Sequence, residues 1–358
     1  MLRSMPTSQL PERMRAAVYE APGRIRIEDR PTPLPGPEDV LIAVERCGIC
    51  GTDLHLFLDG LGRPGSIGGH EYAGTVAAIG DSVRAWSLGD RVVAGPRASC
   101  GRCAACRSGR PVLCDVRPDV AGDGFQGAFA EFALVHDSQP RRVPEGLDLR
   151  TAALAEPLAV ALHAITRSGV RAGERALVCG AGPLGLLVVA ALRAAGVADV
   201  VVSEPRASRR ERAVEVGATS AVEPSQLGAT RMPFDVIAEP FDVAIECSGQ
   251  RAAMEGALGQ LRRGGTLVLV GTGGAPPTFD HYRILLNELV VTGAFNYDAD
   301  GFENALALLA SGRLPTERLI DPTDRPLDGL LPAMKSLAAG ELVAKTMIDP
   351  RSFGGSER

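Results

Sequence analysis

Nowhere in this 358-residue sequence is there an apolar run long enough to cross a bilayer. The longest, residues 184–192, falls far short of the roughly 20 residues a spanning helix needs. The first fourteen residues, MLRSMPTSQLPERM, lack the continuous apolar core of a secretory signal and read as a flexible extension, so a cytoplasmic location is expected. A basic excess is missing too. Lys plus Arg number 38 against 43 for Asp plus Glu, a net charge of -5 at pH 7, and no broad positive field exists to draw in a phosphate backbone. Neither nucleic acid nor a membrane is an expected partner. There is no internal repeat and no low-complexity tract. With 45% hydrophobic and 23% charged residues the composition is that of a globular chain. At roughly 150 residues per domain, the length allows about two domains, each with its own core.

Two rhythms divide the chain. From Arg15 to about Val143, short strand-like runs such as AAVYE, RIRIED, DVLIAVERCG, AGTVAAIG, DRVVAG and AFAEFALV are separated by Gly and Pro signals, which predicts a mostly β domain. After Thr151, apolar runs alternate with helix-length segments: RALVCG, PLGLLVVAALRAAG, ADVVVSE, RASRRERAVEVG, FDVAIECSG, GTLVLVG. That is the pattern of βαβ units around a parallel sheet, and apolar runs without alternation suit strands covered on both faces. The segments GFENALALLASG and LVAKTMID predict a late helix and a last strand. The expected class is α/β.

Gly180, Gly182 and Gly185 stand as GAGPLG directly after the strand ALVC and open a helix, with Pro183 and Leu184 in its first turn. The first glycine permits a tight turn, the second lets backbone approach a pyrophosphate, and the third lets helix and strand pack closely. The helix N-terminus supplies unpaired N–H donors. Glu204 closes the second strand nineteen residues after Gly185, where an acid accepts hydrogen bonds from the adenosine ribose hydroxyls and disfavours a 2′-phosphate. NAD is therefore expected over NADP, although Arg206 and Arg209 lie close enough in sequence to soften the repulsion.

Four of the eight cysteines are packed into fifteen residues: Cys100, Cys103, Cys106 and Cys114, separated by two, two and seven residues. In a large chain without a secretory signal this spacing reads as metal binding. Four thiolates close a tetrahedral shell around zinc and leave no position for substrate, so the site is structural. A second constellation is scattered: Cys50 in CGICGTDLH, His70 and Glu71 in GGHEYAG, and Glu156 in LAEPLAVALHA. Scatter suits an open, catalytic zinc, which takes three protein ligands and keeps one position for water or substrate. Singly, each has a plainer reading, a small buried hydrophobe for Cys50 and a helix start for Glu156.

Taken together and in order, CGICGTDLH, GHEYAG, the four-cysteine lobe, EPLAVALHA, GAGPLG, VVVSEP and VTGAFNY resemble the zinc-containing medium-chain alcohol dehydrogenases, in their polyol (sorbitol-like) and threonine dehydrogenase branch. The resemblance runs from about Met14 to Ile348. It implies an extension over residues 1–14, a GroES-like catalytic domain over 15–155 carrying two zinc ions, a Rossmann domain over 156–296 and a C-terminal segment, 297–358, returning to the first domain. Cys50, His70 and Glu156 match the catalytic zinc ligands, with Glu156 at a position that is Cys in ordinary alcohol dehydrogenases. Glu71 matches a transient ligand or close neighbour of the zinc. Asp53 matches the carboxylate that orients the zinc-bound histidine, and Thr52 and His55 match the proton relay. The implied partners are an alcohol and its ketone, and copies of the chain in a homodimer or homotetramer. The implied reaction is reversible hydride transfer between a secondary alcohol and NAD. A non-redox zinc enzyme, or a zinc- and NAD-binding protein without activity, is the alternative. His163, His136, His281, Cys179, Cys247 and Trp86 read as structural. Phe57, Asp123, Phe125 and Gln126 fall in segments that would line a substrate pocket.

Overall fold

The computed structural model describes residues 10–95, 100–116, 126–273 and 275–354. Strands run in chain order as β1 (Arg13–Ala21), β2 (Arg24–Pro31), β3 (Asp39–Gly48), β4 (Glu71–Ile79), β5 (Arg91–Ala94), β6 (Phe132–His136) and β7 (Arg141–Arg142), then β8 (Arg175–Cys179), β9 (Asp199–Ser203), β10 (Ser220–Val222), β11 (Phe241–Glu246), β12 (Leu261–Leu269) and β13 (Val290–Gly293), and lastly β14 (Arg325–Pro326) and β15 (Met347–Asp349). The chain divides into two compact units. One comprises the chain up to Glu156, Phe302–Ala310 and the chain from Ile320 onward; the other comprises Pro157–Gly301 and Ser311–Leu319.

The first unit is mostly β. Its large sheet has the order β14-β15-β3-β4-β5-β7 with β6 also pairing β3, and β1 and β2 form a separate antiparallel pair. β3 is antiparallel to β4, β6 and β15. The β3–β4 register sets Gly48 opposite Glu71 and Cys47 opposite Tyr72, while β15 pairs Met347 with Gly48. Three distant stretches thus meet at the end of β3, where Cys50 follows. The core of this unit gathers Tyr19, Ile42, Ile49, Phe57, Phe129 and Met334 among others. Met14 is buried in it and belongs to β1, so the expected extension ends earlier than residue 14: an apolar side chain in register within a strand has core to cover. Residues 1–9 lie outside the described residues. Phe57 is core rather than pocket lining, packed edge-on against Tyr19 with ring centroids 5.3 Å apart.

The second unit holds a six-stranded sheet in the order β10-β9-β8-β11-β12-β13, every pair parallel. Renumbered from β8, that is 3-2-1-4-5-6, the doubly wound order in which dinucleotides bind beyond the carboxyl ends of the strands where the order reverses. The apolar runs read as doubly covered strands are that: Leu177, Val178, Val200, Val202, Ala244 and Leu267 are all buried. Residues 297–301 and 311–319 belong with this unit, so the division does not follow the single boundary expected at residue 296.

β8 leads into the helix Pro183–Ala194 through Gly180, whose φ is +93°, with Gly182 as N-cap and Pro183 at the first position. An added Cβ at Gly185 would lie 1.9 Å from the Gly180 carbonyl oxygen, whereas at Gly182 it would meet nothing within 4 Å. One glycine closes the helix onto the strand end; the other leaves the space before the helix N-terminus open. Substituting Gly185→Ala is expected to destabilise the fold by about 1–3 kcal/mol and to weaken dinucleotide binding, checked by thermal melting and by calorimetric titration with NAD. Unchanged values would contradict the close-packing role.

Candidate functional site

Cys50 is the N-cap of the helix Gly51–Phe57, and the buried Asp53 in its first turn is what locks the local structure. Its Oδ2 accepts from the Cys50 N–H at 2.9 Å and its Oδ1 from the Gly69 N–H at 3.3 Å. One carboxylate therefore ties the Cys50 loop to the loop that ends in His70. Asp53 Oδ1 stands 3.8 Å from His70 Nδ1, beyond hydrogen-bond length, so its visible work is on the two backbones that carry the ligands. Gly69, with φ +92°, passes so close to Cys47 and Phe129 that a Cβ would lie 2.8 Å from each. Cys47 is a buried core thiol, its pKa pushed up chiefly by burial.

The ligand atoms of Cys50, His70 and Glu71 all lie within 4.8 Å of one another. Glu156, in the first turn of the helix Ala155–Ser168, is buried nearby and bears on the charge of His70, but it stands outside that tight group. The carboxylate inside it is Glu71, which follows His70 directly at the start of β4. Burial pushes the Glu156 carboxyl up to about 7, with Glu71 and Asp53 adding to the rise and the neighbouring His70 and Lys345 opposing it. Burial alone would keep His70 neutral, yet Cys50, Asp53 and Glu156 outweigh it and raise its pKa well above normal. A histidine, a thiol and two carboxyls confined in one buried spot call for a cation. Sulfur, imidazole and carboxylate are zinc donors, so the residues fit the ion.

Thr52 Oγ1 lies 3.7 Å from Cys50 Sγ. His55, one turn further along the same helix, contacts Asp59 Oδ2 through Nδ1 at 2.7 Å and is partly exposed. Asp59 was not legible in the sequence; its only signal was a carboxylate four residues after a histidine. Lys345 was missed too. Its Nζ donates to Glu71 Oε1 at 2.8 Å and Oε2 at 2.6 Å and to the Ile49 carbonyl at 3.0 Å, all buried. An isolated lysine in a strand-like segment carried no hint of it.

All four lobe cysteines converge, their sulfurs within 4.8 Å of one another. Cys103 Sγ is 3.4 Å and Cys100 Sγ 4.0 Å from Cys106 Sγ, against about 3.8 Å between sulfurs around tetrahedral zinc. The backbone N–H groups of Arg102 and Cys103 pull the Cys100 thiol down to about 6, and those of Asp115 and Cys106 lower Cys103. Cys100, biased in this way toward thiolate at neutral pH, is a ready ligand. None of the eight cysteines is in a disulfide. Cys179 and Cys247 have raised pKa values, again chiefly through burial.

In the nucleotide unit, Glu204 Oε2 accepts from the Ala181 N–H at 2.9 Å and Oε1 from the Arg206 N–H at 3.0 Å. The acid braces the glycine-rich turn against the end of β9. Arg209 Nε is buried without a hydrogen-bond partner. The open space at Gly182, before a helix N-terminus, is the cradle a pyrophosphate needs. Gly271 and Gly273 pack against the Gly249 backbone with no room for a Cβ; Gly274 lies outside the described residues, as do Asp123 and Phe125. Gln126 is exposed. Asn296 has φ +50°, a left-handed conformation Asn tolerates well. His163 sits 3.5 Å from Asp298 and Trp86 donates to the Asp137 carbonyl at 2.8 Å, both structural contacts. His136 Nδ1 is 2.8 Å from Ser138 Oγ, and His281 stacks on Tyr282.

A GroES-like β unit with two metal-competent clusters and a Rossmann unit with an open dinucleotide cradle define the zinc-dependent dehydrogenases. Residues 36–145 match the Alcohol dehydrogenase GroES-like domain family and residues 183–311 the Zinc-binding dehydrogenase family. The chain is 35% identical over 327 residues to sorbitol dehydrogenase of Bacillus subtilis, covering 88% of this chain and 91% of that protein. It is 33% identical to D-xylulose reductase A of Aspergillus niger, covering 85% and 88%. A protein from Sinorhizobium meliloti solved with NADP superposes with a TM-score of 0.84 at 34% identity, covering 95% of this chain and all of that one. The chain belongs to the zinc-containing medium-chain alcohol dehydrogenase family.

Replacing Cys103→Ser is expected to release one zinc per chain and lower the melting temperature by at least about 5 °C, measured by metal analysis and calorimetry. An unchanged melting profile would contradict a structural lobe.

Proposed function

We propose that the protein oxidises a secondary alcohol of the polyol or sugar class to its ketone, reversibly, with NAD as hydride acceptor, using a catalytic zinc held by Cys50, His70 and Glu156 and a structural zinc in the four-cysteine lobe. The observation that carries it is the meeting of Cys50, His70 and Glu71 within 4.8 Å, beside the Thr52 hydroxyl and with Glu156 buried nearby. When bound, zinc polarises the substrate oxygen and the nicotinamide takes the hydride. Thr52 takes the substrate's hydroxyl proton as it gives up its own, and His55, in contact with Asp59 and partly exposed, passes that proton on to solvent. Asp53 fixes the spacing of the two ligand loops. Relatives named for sorbitol and D-xylulose support a polar, polyhydroxylated substrate.

For the nucleotide, Gly180, Gly182, Pro183, Leu184 and Gly185 seat the pyrophosphate, and Glu204, at the end of β9, favours NAD. A second reading has one specific support: Arg209 offers a buried unpartnered Nε beside Glu204, and the similar Sinorhizobium meliloti protein was solved with NADP. In that reading Arg209 takes the 2′-phosphate.

No helix among the described residues is long and apolar enough to cross a membrane, and we place the protein in the cytoplasm. We also propose a homodimer or homotetramer. β13 is an outer strand of its sheet, and Val290 on it is 50% exposed, with Tyr282, Leu285 and Leu286 exposed just before it. An open apolar strand edge is a template for pairing with another copy.

Three measurements test these readings. Cys50→Ser should lower kcat/KM about a thousandfold or more with NAD affinity nearly intact; equal loss of both would count against the division of labour. A panel of polyols, sugars, amino polyols and simple alcohols, assayed with NAD and NADP, should favour polyols with NAD. NADP efficiency equal to or above that with NAD would transfer the assignment to Arg209. Val290→Lys should give a smaller species in light scattering, and an unchanged mass would remove this edge as the interface.

A further inference from the structure

Parallel strands are ordinarily joined by an α-helix, and in the six-stranded sheet four of the five connections are: Pro183–Ala194, Ala207–Glu215, Arg251–Leu258 and His281–Leu286. The fifth, residues 223–240 between β10 and β11, holds only a 3-10 turn at Pro224–Gln226. A stretch of that length without a helix is uncommon in a compact fold unless it has a function or is disordered. This one is fastened. Arg283 donates to the Met232 carbonyl at 2.7 Å and to the Asp235 carbonyl at 2.9 Å, and Asn287 Nδ2 donates to the Pro233 carbonyl at 2.8 Å. Asp235 Oδ2 accepts from the Arg231 and Met232 N–H groups at 3.1 and 2.8 Å.

Between this stretch, the helix Arg251–Leu258 and the entry to the helix His281–Leu286 lies a cavity of about 410 Å³. That falls in the range of roughly 300–1,000 Å³ usual for small-molecule sites. No residue of the glycine-rich turn at Gly180–Gly185 lines it. Leu258 and Phe279 give it apolar surface. Gln260, in its wall, is 4% exposed. The Gln260 Nε2 donates to the Gly228 carbonyl at 2.8 Å, while Oε1 is buried with no partner among the described residues. Buried acceptors are rarely left so, and this one calls for a donor.

Four charged side chains share the lining, and three are committed. Arg283 is spent on backbone carbonyls, Glu255 accepts from Arg251 Nε and the Thr278 N–H, both at 2.7 Å, and Asp280 caps the helix His281–Leu286. Arg231 is exposed, and its guanidinium has no partner among the described residues. The cavity therefore offers one open cation and one open acceptor beside apolar surface, with two acids in the same wall.

We propose that this cavity is a second small-molecule site, separate from the dinucleotide cradle, for a small organic carboxylate that also carries a hydroxyl or ammonium donor. Arg231 takes the carboxylate, whose two oxygens match the guanidinium fork. Gln260 Oε1 takes the donor, and Leu258 and Phe279 cover the carbon chain. Glu255 and Asp280 limit the charge, since a phosphate dianion would face both.

The full-length protein is titrated with L-serine and L-lactate, each a carboxylate with a donor, and binding is followed by saturation-transfer NMR. Acetate lacks the donor and L-serine methyl ester the anion. L-Serine and L-lactate should bind, with acetate and the ester at least about tenfold weaker. Arg231→Ala should weaken both ligands by a similar factor. Gly256→Leu should block them: Gly256 lines the cavity, and an added Cβ there meets nothing within 4 Å. Leucine is also the better helix former, so this variant should melt and bind NAD as the wild type does. Absence of binding by both L-serine and L-lactate, or binding unchanged in both variants, would overturn the proposal. Acetate binding as tightly as L-lactate would overturn the contact with Gln260 and with it the ligand class.

Discussion

Buried negative charge is the constraint around which the first unit is organised. Asp53, Glu71 and Glu156 lie out of water beside the Cys50 thiol, and carboxylates pay heavily for such burial unless paired or hydrogen-bonded. Each is answered differently. Asp53 takes two backbone N–H groups, Glu71 takes Lys345, and Glu156 is left with a raised pKa of about 7 and His70 in its field. The least compensated acid is the one the family pattern assigns to zinc. A divalent ion at this spot would supply the charge the protein withholds, and its binding would then be coupled to folding.

The same economy governs the backbone. Where loops must meet, side-chain volume is removed: Gly48 for the Glu71–Lys345 pair, Gly69 against Cys47 and Phe129, Gly185 against the Gly180 carbonyl. At Gly182 side-chain volume is also absent, yet an added Cβ there would meet nothing within 4 Å. Glycines in one sequence therefore do opposite work, and only the surrounding atoms distinguish a packing glycine from one that leaves space. The motif GAGPLG could be read in advance because its spacing fixes both uses at once. Gly48 and Gly69 offered no such spacing.

The four-cysteine lobe was legible to the individual residue because its ligands lie within one short loop, where the covalent chain limits how far they can separate. The six strand-like runs of the first half correspond to β1–β6, and those of the βαβ rhythm in the second to β8, β9, β11 and β12, for a comparable reason: periodicity and covering are local signals. The short outer strands β10 and β13 carry too little apolar pattern to be read that way. The boundary between the units was less legible. Ser311–Leu319 joins the second unit while Phe302–Ala310 joins the first, an exchange that no change of local pattern marks. Phe57 shows the same ambiguity, since an aromatic near a ligand motif suits a pocket wall or a core equally.

What the sequence determined by itself was the chemistry on offer: four clustered thiols, a cysteine, a histidine and two acids in separated motifs, and a glycine pattern after an apolar strand. These are properties of residue type and short spacing, and neither changes on folding. Tertiary structure alone decided how the acids divide their duties. Lys345 reaches Glu71 across 274 residues, through the antiparallel pairing of β15 with β3 and of β3 with β4. A pairing over that separation leaves no trace in local pattern, because what selects it is the cost of leaving either charge buried alone.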